Sequence, residues 1–416
     1  MTASADAARR PVIGTHSGKF HLDEVFATTM LLSLPEYQNA RVVRSREPAV
    51  LATCDILVDV GAEYDPEKRR FDHHQKSFTA TFYDEGPKSQ PEAAEGAGCD
   101  GNAEGAGKDE AASGDVAATN GHKEPAKKAV TKLSSAGLIY KHFGKEVLRH
   151  RFGVTCPTLL ECVYQRLYTS FVEAVDANDN GVSIVADGSP LLYKDSTNLS
   201  SRVSRCYPPW NLEDLQAKPN LKRLRTEEAA LYPADVEGGS PEEVAGFKKA
   251  MQIVDSEFED AVSSIVDVWL PARQVVEDAI QERAAIHPSG QIIQLKKWCP
   301  FQEHLHEIED ELHLTSPILY CLYPDIKDGV TQGWRVYAVN EKDQLFKSRL
   351  PLSKKLRGLR DSELGNAVLA NAHTTDAENM KSSDFIHCHA TGFIGGAKTF
   401  PAAMAMATLT MKEADN

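Results

Sequence analysis

We predict an α/β protein whose N-terminal half contains a parallel sheet. Strand-like and helix-like segments alternate along the first part of the chain, which is the pattern of parallel strands joined by crossover helices. The run Ile56-Leu57-Val58 is apolar at every position, as in a strand that is covered on both faces. The C-terminal half mixes further strands with helices, so the same class is expected there.

The N-terminal elements follow from hydrophobic spacing. Short apolar runs bounded by polar residues predict strands, and apolar residues three or four positions apart predict helices. In the segment SSAGLIYKHFG, for example, Ala136, Ile139, Tyr140 and Phe143 recur at helical spacing. We predict strands at 11–15, 41–44 and 55–60, and helices at 23–34, 48–53, 134–148 and 157–175.

The C-terminal elements follow from the same patterns, and we find no internal repeat. A long helical stretch is predicted over 242–283, with a break at Pro271, because proline removes a helical hydrogen bond. Strands are predicted at 291–295, 318–323, 334–339 and 384–388, followed by a last helix at 401–412.

Composition limits the classes of protein that this chain can form. Its 416 residues suggest two or three domains, and 42% hydrophobic residues are enough for ordinary globular cores. A net charge of −14 argues against a protein coated in positive charge, although it allows a local basic groove or acidic clusters that bind cations. No apolar run reaches the roughly 18 residues of a membrane helix, and eight cysteines without a CxxC pair predict reduced thiols in an intracellular protein.

Two segments divide the chain. Residues 86–128 are rich in Gly, Ala, Glu and Asp, and we predict a disordered insertion there because such a segment buries too little apolar surface. Residues 208–241 are polar and proline-rich, which favours a linker. We therefore predict a first domain over 10–235 and a smaller α/β domain over 241–416.

The segment GTHSGKFHLDE, residues 14–24, follows the first predicted strand. It resembles a phosphate-binding P-loop, but its two glycines are one residue too close and Phe20 replaces the hydroxyl that binds magnesium. What remains is two imidazoles and two carboxylates, a combination typical of divalent metals of intermediate softness.

Four motifs place acids or imidazoles at strand ends or beside turns. Because sites in open α/β sheets form outside the carboxyl ends of strands, the first two motifs, which contain His16 and Asp59, can converge. We predict a dinuclear metal site in which Asp59, on a rigid strand end, bridges two ions, with manganese favoured over magnesium by the imidazoles and zinc as an alternative. DANDNG also resembles a calcium loop, but position twelve is Asp187 where the bidentate glutamate is required. The motifs are His16, His21 and Asp23; Asp59; Asp72, His73 and His74; and DANDNG, which starts at Asp176.

The C-terminal half offers two candidate substrate-binding segments. One is the Gly-rich segment HCHATGFIGG, whose backbone amides can meet a phosphate if it forms a turn; a structural turn with buried imidazoles is the alternative. The other combines charge with a stacking face, as single-strand binders do. The candidate residues are His387, His389, Gly392, Gly395 and Gly396 in the first segment, and Lys296, Lys297 and Trp298 in the second.

Several motifs resemble the Myg (melanocyte proliferating gene) family, which is related to the DHH phosphoesterases. The resemblance covers nearly the whole chain outside the N-terminal residues and the insertion. The motifs are GTHSGKFHLDE, CDILVDVGAEYDP, FDHHQKSF, TKLSSAGLIYKHFG, FVEAVDANDNGVS, LSSRVSRCYPPWN, WLPARQVVEDA, FKSRLP, LRGLRD and HATGFIGG.

The resemblance implies a DHH-phosphoesterase-like catalytic domain with a C-terminal substrate-binding domain. It implies a metal-dependent 3′-to-5′ RNA exonuclease that uses a two-metal-activated hydroxide on single-stranded RNA 3′ ends, in the nucleus or mitochondrion. His74 would contact the scissile phosphate or protonate the leaving oxygen, Asp72 would orient it or join the metal shell, and Arg202 would bind substrate. Glu24 would lie in the outer shell. The implied metal ligands are His16, His21, Asp23, Asp59, His73 and Asp176.

Two other functions remain open from the residues alone. A small-phosphate hydrolase, such as a pyrophosphatase or nucleotide phosphodiesterase, would use the same metal chemistry. A non-catalytic RNA-binding or regulatory protein is the third possibility, and the full set of metal ligands argues against it.

Overall fold

The computed structural model describes residues 9–84, 131–185, 188–190, 193–212, 233–344, 346–371 and 380–415. The predicted insertion at 86–128 lies outside the described residues, as does most of the predicted linker. The chain divides into two compact units, Met1–Glu259 and Asp260–Asn416. The predicted domain limits, 10–235 and 241–416, stay predictions.

The first unit contains a six-stranded sheet, which confirms the α/β class. Its strands lie in the order β4-β5-β3-β1-β2-β6. All neighbours pair in parallel except β4 and β5, which are antiparallel. The strands are β1 Val12–Thr15, β2 Arg41–Arg44, β3 Ile56–Val58, β4 Tyr64–Asp65, β5 Arg70–Phe71 and β6 Asp235–Glu237.

Helices pack on this sheet and on each other. Every residue of the first helix from Leu22 to Leu31 is buried, so this helix is enclosed rather than amphipathic. The third helix starts at an N-cap, Ser134, and stops at Gly153, whose φ of 68° ends the helix in the left-handed region. The helices are α1 Leu22–Leu32, α2 Pro48–Leu51, α3 Ser135–Phe152, α4 Pro157–Leu167, α5 Glu173–Asp179, α6 Leu199–Ser204 and α7 Pro241–Ser263.

The second unit contains a five-stranded sheet in the order β10-β11-β9-β8-β7. Only β7 and β8 are parallel, so this sheet is mixed. Its strands are β7 Ile292–Gln294, β8 Tyr320–Lys327, β9 Val330–Ala338, β10 Phe385–Cys388 and β11 Ile394–Ala397. Its helices are α8 Leu270–Ile286, α9 Gln302–Glu311, α10 Asp361–Asn371 and α11 Phe400–Asp415.

Alternation along the strands builds two cores, one on each face of the second sheet. Ile292 and Tyr320 join a cluster with residues of α10 and α11. Their chain neighbours, Ile293 and Cys321, join a cluster with residues of α8 and α9. Helices therefore cover both faces, which makes this unit a three-layer α/β structure.

The structure corrects two predicted helices. The predicted helix over 157–175 is interrupted by a π-helical turn at Tyr168–Val172. The long helix over 242–283 does not break at Pro271; instead a π-helical turn, Ser264–Trp269, precedes it. The wider turn takes up the distortion that proline imposes, and Pro271 then lies in the first turn of α8, where its missing N–H is tolerated. In the described ranges, no helix is long and apolar enough to cross a membrane.

Candidate metal centre

Three neighbouring parallel strands end at one edge of the first sheet. The residues that follow β1, β3 and β5 are His16, Asp59 and Asp72. Since β5, β3 and β1 are adjacent and parallel, their carboxyl ends bring these three side chains to the same place. The predicted convergence of the first two motifs is therefore observed, and the third motif joins them.

The first group surrounds His16, which is buried. Its Nε2 lies 2.9 Å from Glu24 Oε1 and 3.2 Å from Asp59 Oδ2. Its Nδ1 lies 3.1 Å from the carbonyl oxygen of Ser17, a contact that suits a proton on Nδ1 and leaves Nε2 to act as a ligand. The side chain of His21 completes this group of four potential ligands.

Helix capping places Glu24 in this group. His21 is the N-cap of α1, and its backbone N–H donates to Glu24 Oε1 over 2.8 Å. The same carboxylate faces His16, so Glu24 contacts the site directly rather than from an outer shell. A carboxylate three residues after an N-cap is a recognisable pattern, and it was the available sequence signal for this role.

Two further groups share His73. Its Nε2 lies 3.1 Å from Asp179 Oδ2, 3.5 Å from Asp59 Oδ1 and 3.9 Å from Asp23 Oδ2. His74 Nδ1 lies 3.4 Å from Asp59 Oδ1. The potential ligand groups are therefore Asp23, His73 and Asp179, and Asp59, His73 and His74.

Asp59 connects the groups. One carboxylate oxygen, Oδ2, faces His16, and the other, Oδ1, faces His73 and His74. Its φ is 56°, in the left-handed region that non-glycine residues seldom occupy. Such strain is retained where surrounding structure holds it, commonly at functional sites.

Unsatisfied carboxylates show that the site fits a cation. Both oxygens of Asp23 and one oxygen of Glu24 are buried without a hydrogen-bond partner in the described chain. A buried, unpaired carboxylate is costly unless a cation balances it. Mixed imidazole and carboxylate donors suit a divalent metal, so these residues can hold one.

The pKa values describe the same charge crowding. Burial and the charges of Asp59, Glu24 and Asp179 raise the pKa of Asp23 well above its usual range. Burial acts to lower the pKa of His16, but hydrogen bonds and charges from Asp59 and Glu24 outweigh it and raise the pKa to about 10. Burial likewise opposes the effect of Asp179 and Asp59 on His73, whose pKa still rises to about 9.

Asp176 is not brought into these groups. It is fully buried beneath the start of α3, where Oδ1 accepts from the Ser134 backbone N–H at 2.9 Å and the Ser134 hydroxyl at 2.7 Å. It also accepts from the Gly137 N–H at 3.1 Å and from the Tyr168 hydroxyl at 3.2 Å. Burial raises its pKa to about 7, against the lowering effect of these donors.

Asp179 lies in the position that we predicted for Asp176. Both belong to DANDNG, and they are three positions apart on α5, so they are near neighbours on the helix. The Asp176 side chain accepts hydrogen bonds from the start of α3, whereas the Asp179 side chain approaches His73. The sequence offered four polar candidates in this motif without a pattern that separates them.

Asp72 holds His74. Its Oδ2 accepts from the Ala62 N–H at 2.6 Å, and its Oδ1 accepts from the His74 backbone N–H at 3.1 Å. The His74 ring places Nδ1 2.7 Å from the same oxygen, while 61% of its side chain stays exposed. This arrangement orients an accessible imidazole, and it leaves both Asp72 oxygens occupied by hydrogen bonds.

The other predicted substrate-binding residues lie elsewhere. Arg202 is on α6 of the first unit, where its Nη1 lies 2.6 Å from Glu257 Oε1. Lys296, Lys297 and Trp298 follow β7 in the second unit and are exposed, with 61% of Trp298 accessible. Trp298 is therefore not a core aromatic.

The predicted Gly-rich turn is only partly a turn. Gly392 has a φ of 79° and turns the chain, with its N–H donating to the carbonyl of His389. Gly395 and Gly396 instead lie within β11, between β10 and β9, where strand pairing occupies the backbone. At Gly396 a Cβ would lie 2.8 Å from the His387 ring, so close packing explains this glycine, and a phosphate cradle at 395–396 is ruled out.

The imidazoles of this segment differ in exposure. His387 is half-buried in β10, and burial together with Arg335 and Arg360 lowers its pKa. His389 is exposed, with Nδ1 3.0 Å from the Thr391 hydroxyl. In the described residues, no metal-ligand group includes either histidine.

Comparison with known proteins identifies the family. The MYG1 exonuclease family model, described as uncharacterised protein family UPF0160, matches residues 12–95 and 118–411. The chain is 37% identical to the human protein named MYG1 exonuclease over 405 residues, which is 97% of this chain and 86% of that protein. It is 38% identical to the bovine MYG1 exonuclease, covering 97% and 85%, and 34% identical to the budding yeast MYG1 protein YER156C, covering 96% and 95%. No solved structure matches. The chain belongs to the MYG1 exonuclease family, as its motifs indicate.

Proposed function

We propose that this protein is a metal-dependent phosphodiesterase that removes nucleotides from the 3′ end of single-stranded RNA. The observation that carries the proposal is Asp59, whose two carboxylate oxygens face separate ligand groups beside the unpaired oxygens of Asp23. Such sharing suits two ions. The names of the relatives, MYG1 exonuclease, supply the reaction class.

Each residue has a distinct part in this proposal. His16, His21 and Glu24 would hold one ion, and Asp23, His73 and Asp179 would hold the other, with one oxygen of Asp59 facing each of the two groups. When bound there, a divalent metal, manganese more than magnesium because of the imidazoles, would supply an activated water and neutralise phosphate charge.

His74 acts on the substrate from the edge of the site. Its exposed ring reaches solvent, and Asp72 fixes its orientation through Oδ1. A ring held in this way can donate a hydrogen bond to the scissile phosphate or a proton to the leaving oxygen. Asp72 acts through His74 and is therefore a positioning residue.

The deciding experiment compares substrates. Purified protein is incubated with manganese or magnesium and 5′-labelled RNA, 3′-labelled RNA, pyrophosphate or a dinucleotide. We expect single nucleotides to appear first from the 3′ end, and chelation to stop the reaction. Turnover of pyrophosphate alone would replace the proposal with a small-phosphate hydrolase, and no turnover of any substrate would favour a binding protein.

A further inference from the structure

A cavity of about 700 Å³ opens beside the candidate metal centre, within the first unit. Its size is that of small-ligand pockets in general. His16, Asp59 and His74 form the wall nearest the metal centre. The apolar part of its lining is formed by Pro48, Leu51, Ala52, Leu57 and Val60.

Two arginines line the same cavity. Arg46 donates to the carbonyl of Ser17 at 3.3 Å, and Arg70 donates to the carbonyl of Lys68 at 2.9 Å. In the part of the chain that the structure describes, neither arginine pairs with a carboxylate. Their charge is therefore available to an electronegative ligand, and guanidinium is a donor that suits phosphate and base acceptors.

A second cavity, of about 630 Å³, also borders the candidate metal centre. Its lining is polar and includes Lys76, Lys132 and Asn180. Asp59 and His74 line both cavities, so the centre lies where the two meet. One cavity thus offers an apolar wall, and the other offers amines and an amide.

We propose that the apolar cavity is the subsite for the terminal nucleoside of the substrate, an inference that rests on the proposed exonuclease. The base packs on the apolar wall, and Arg46 and Arg70 donate to acceptor atoms of that nucleotide. The polar cavity takes the preceding sugar-phosphate. The scissile phosphate then lies at the wall shared by Asp59 and His74.

The reaction balances in this arrangement. Oxygen from water bonds to phosphorus, and the bond from phosphorus to the 3′ oxygen of the preceding nucleotide breaks. That oxygen takes up a proton, and one proton of the water is released. The product in the cavity is a nucleoside 5′-monophosphate.

Ala52→Trp tests the subsite by filling it. Ala52 is exposed with a helical backbone, φ −62°, so a larger side chain fits the fold. The substrates are one RNA with an ordinary 3′ residue and the same RNA whose 3′ residue lacks a base. We expect the variant to lose about five- to hundredfold in kcat/KM on ordinary RNA, and less than about twofold on the baseless RNA.

Direct binding gives a measurement that does not depend on turnover. In isothermal titration with manganese present, AMP should bind the full-length protein at least about fivefold more tightly than ribose 5-phosphate. Arg46→Ala should weaken AMP binding about tenfold, whereas Arg149→Ala, at an exposed arginine on α3, should not change it.

The outcomes separate the two proposals. A protein that cleaves both RNAs equally, and whose Ala52→Trp variant treats them alike, overturns the subsite and leaves the exonuclease standing. A protein that cleaves neither RNA but prefers AMP over ribose 5-phosphate refutes the exonuclease and supports the nucleoside subsite. Equal binding of AMP and ribose 5-phosphate overturns the subsite in either case.

Discussion

Asp59 brings a negative charge to the candidate metal centre from a backbone position with positive φ. Its φ of 56° is one that asparagine also adopts readily, so Asp59→Asn removes the charge without adding backbone strain. We expect metal affinity to fall by more than about 100-fold, because changes in the outer shell alone cost about 10- to 100-fold. Metal content after dialysis and RNA turnover measure the loss.

A control variant separates charge from backbone conformation. Asp59→Val should lose metal and also stability, since β-branched residues rarely adopt positive φ. An Asp59→Asn protein that keeps wild-type metal content and rate would remove Asp59 from the centre.

Asp176 and Asp179 form a matched pair on α5. Asp179→Asn should weaken metal binding and leave the melting temperature of the metal-free protein nearly unchanged. Asp176→Ala should lower the free energy of unfolding by about 2 to 4 kcal/mol, because the buried N–H groups of Ser134 and Gly137 lose their acceptor. Metal titration and urea unfolding of both variants test this assignment, which fails if the two effects are exchanged.

Some residues of the site could be predicted because strand ends are visible in the sequence. Asp59 follows an apolar run, and in a parallel sheet such a residue must lie at the carboxyl edge. The choice between Asp176 and Asp179 depends on the rotation of α5 relative to α3. That rotation is set by tertiary packing, including the π-helical turn before α5, and no local pattern reveals it.

Elements with strong periodicity were predicted well, and weakly apolar ones were missed. The helix α11, rich in Ala and Met, appears over Phe400–Asp415, close to the predicted 401–412. The helix α9, QEHLHEIEDE, was missed because only Leu305 and Ile308 are large apolar residues. Its other buried positions include His304 and Glu309, which look solvent-exposed in a sequence.

Glu309 on α9 is buried against Arg349, whose Nη2 lies 2.7 Å from Oε2. Burial acts to raise the pKa of Glu309, but hydrogen bonds from His306 and Arg349 outweigh it and lower the pKa from 4.5 to about 2. A folded-state pKa below the unfolded one stabilises the protein above about pH 4.5, and this stability is lost as pH falls toward 2.

Glu309→Gln should therefore reduce the loss of folding stability that the wild-type protein shows as the pH falls from about 4.5 toward 2. We expect the variant to be less stable than wild type by roughly 3 kcal/mol at pH 7, and the difference to shrink as the pH falls toward 2. Urea unfolding at pH 7, 5 and 3 measures this, with the exposed Glu282→Gln on α8 as control. A difference that stays constant with pH would contradict the role assigned to the ion pair.

At the scale of the whole molecule, the three ligand groups found among the described residues all lie in the first unit. The net charge of −14 is compatible with the proposed site for an anionic polymer, since bound cations would neutralise the local acids. Binding the RNA nucleotides that precede the terminal one requires further protein contacts. The exposed Lys296, Lys297 and Trp298 of the second unit remain the predicted source of these contacts.

Trp298→Ala tests whether the second unit contacts the RNA strand. Stacking on an aromatic side chain contributes about 1 to 3 kcal/mol per base, so kcat/KM on RNA should fall by at most roughly a hundredfold. A dinucleotide does not extend to a second binding segment, so its kcat/KM should change by less than about twofold. Trp210→Ala is the control, because Trp210 is also exposed, 95% against 61%, and lies in the first unit outside the proposed site. If kcat/KM falls equally on both substrates, or on neither, Trp298 does not bind the strand. If kcat/KM falls on RNA alone, the second unit contacts the substrate.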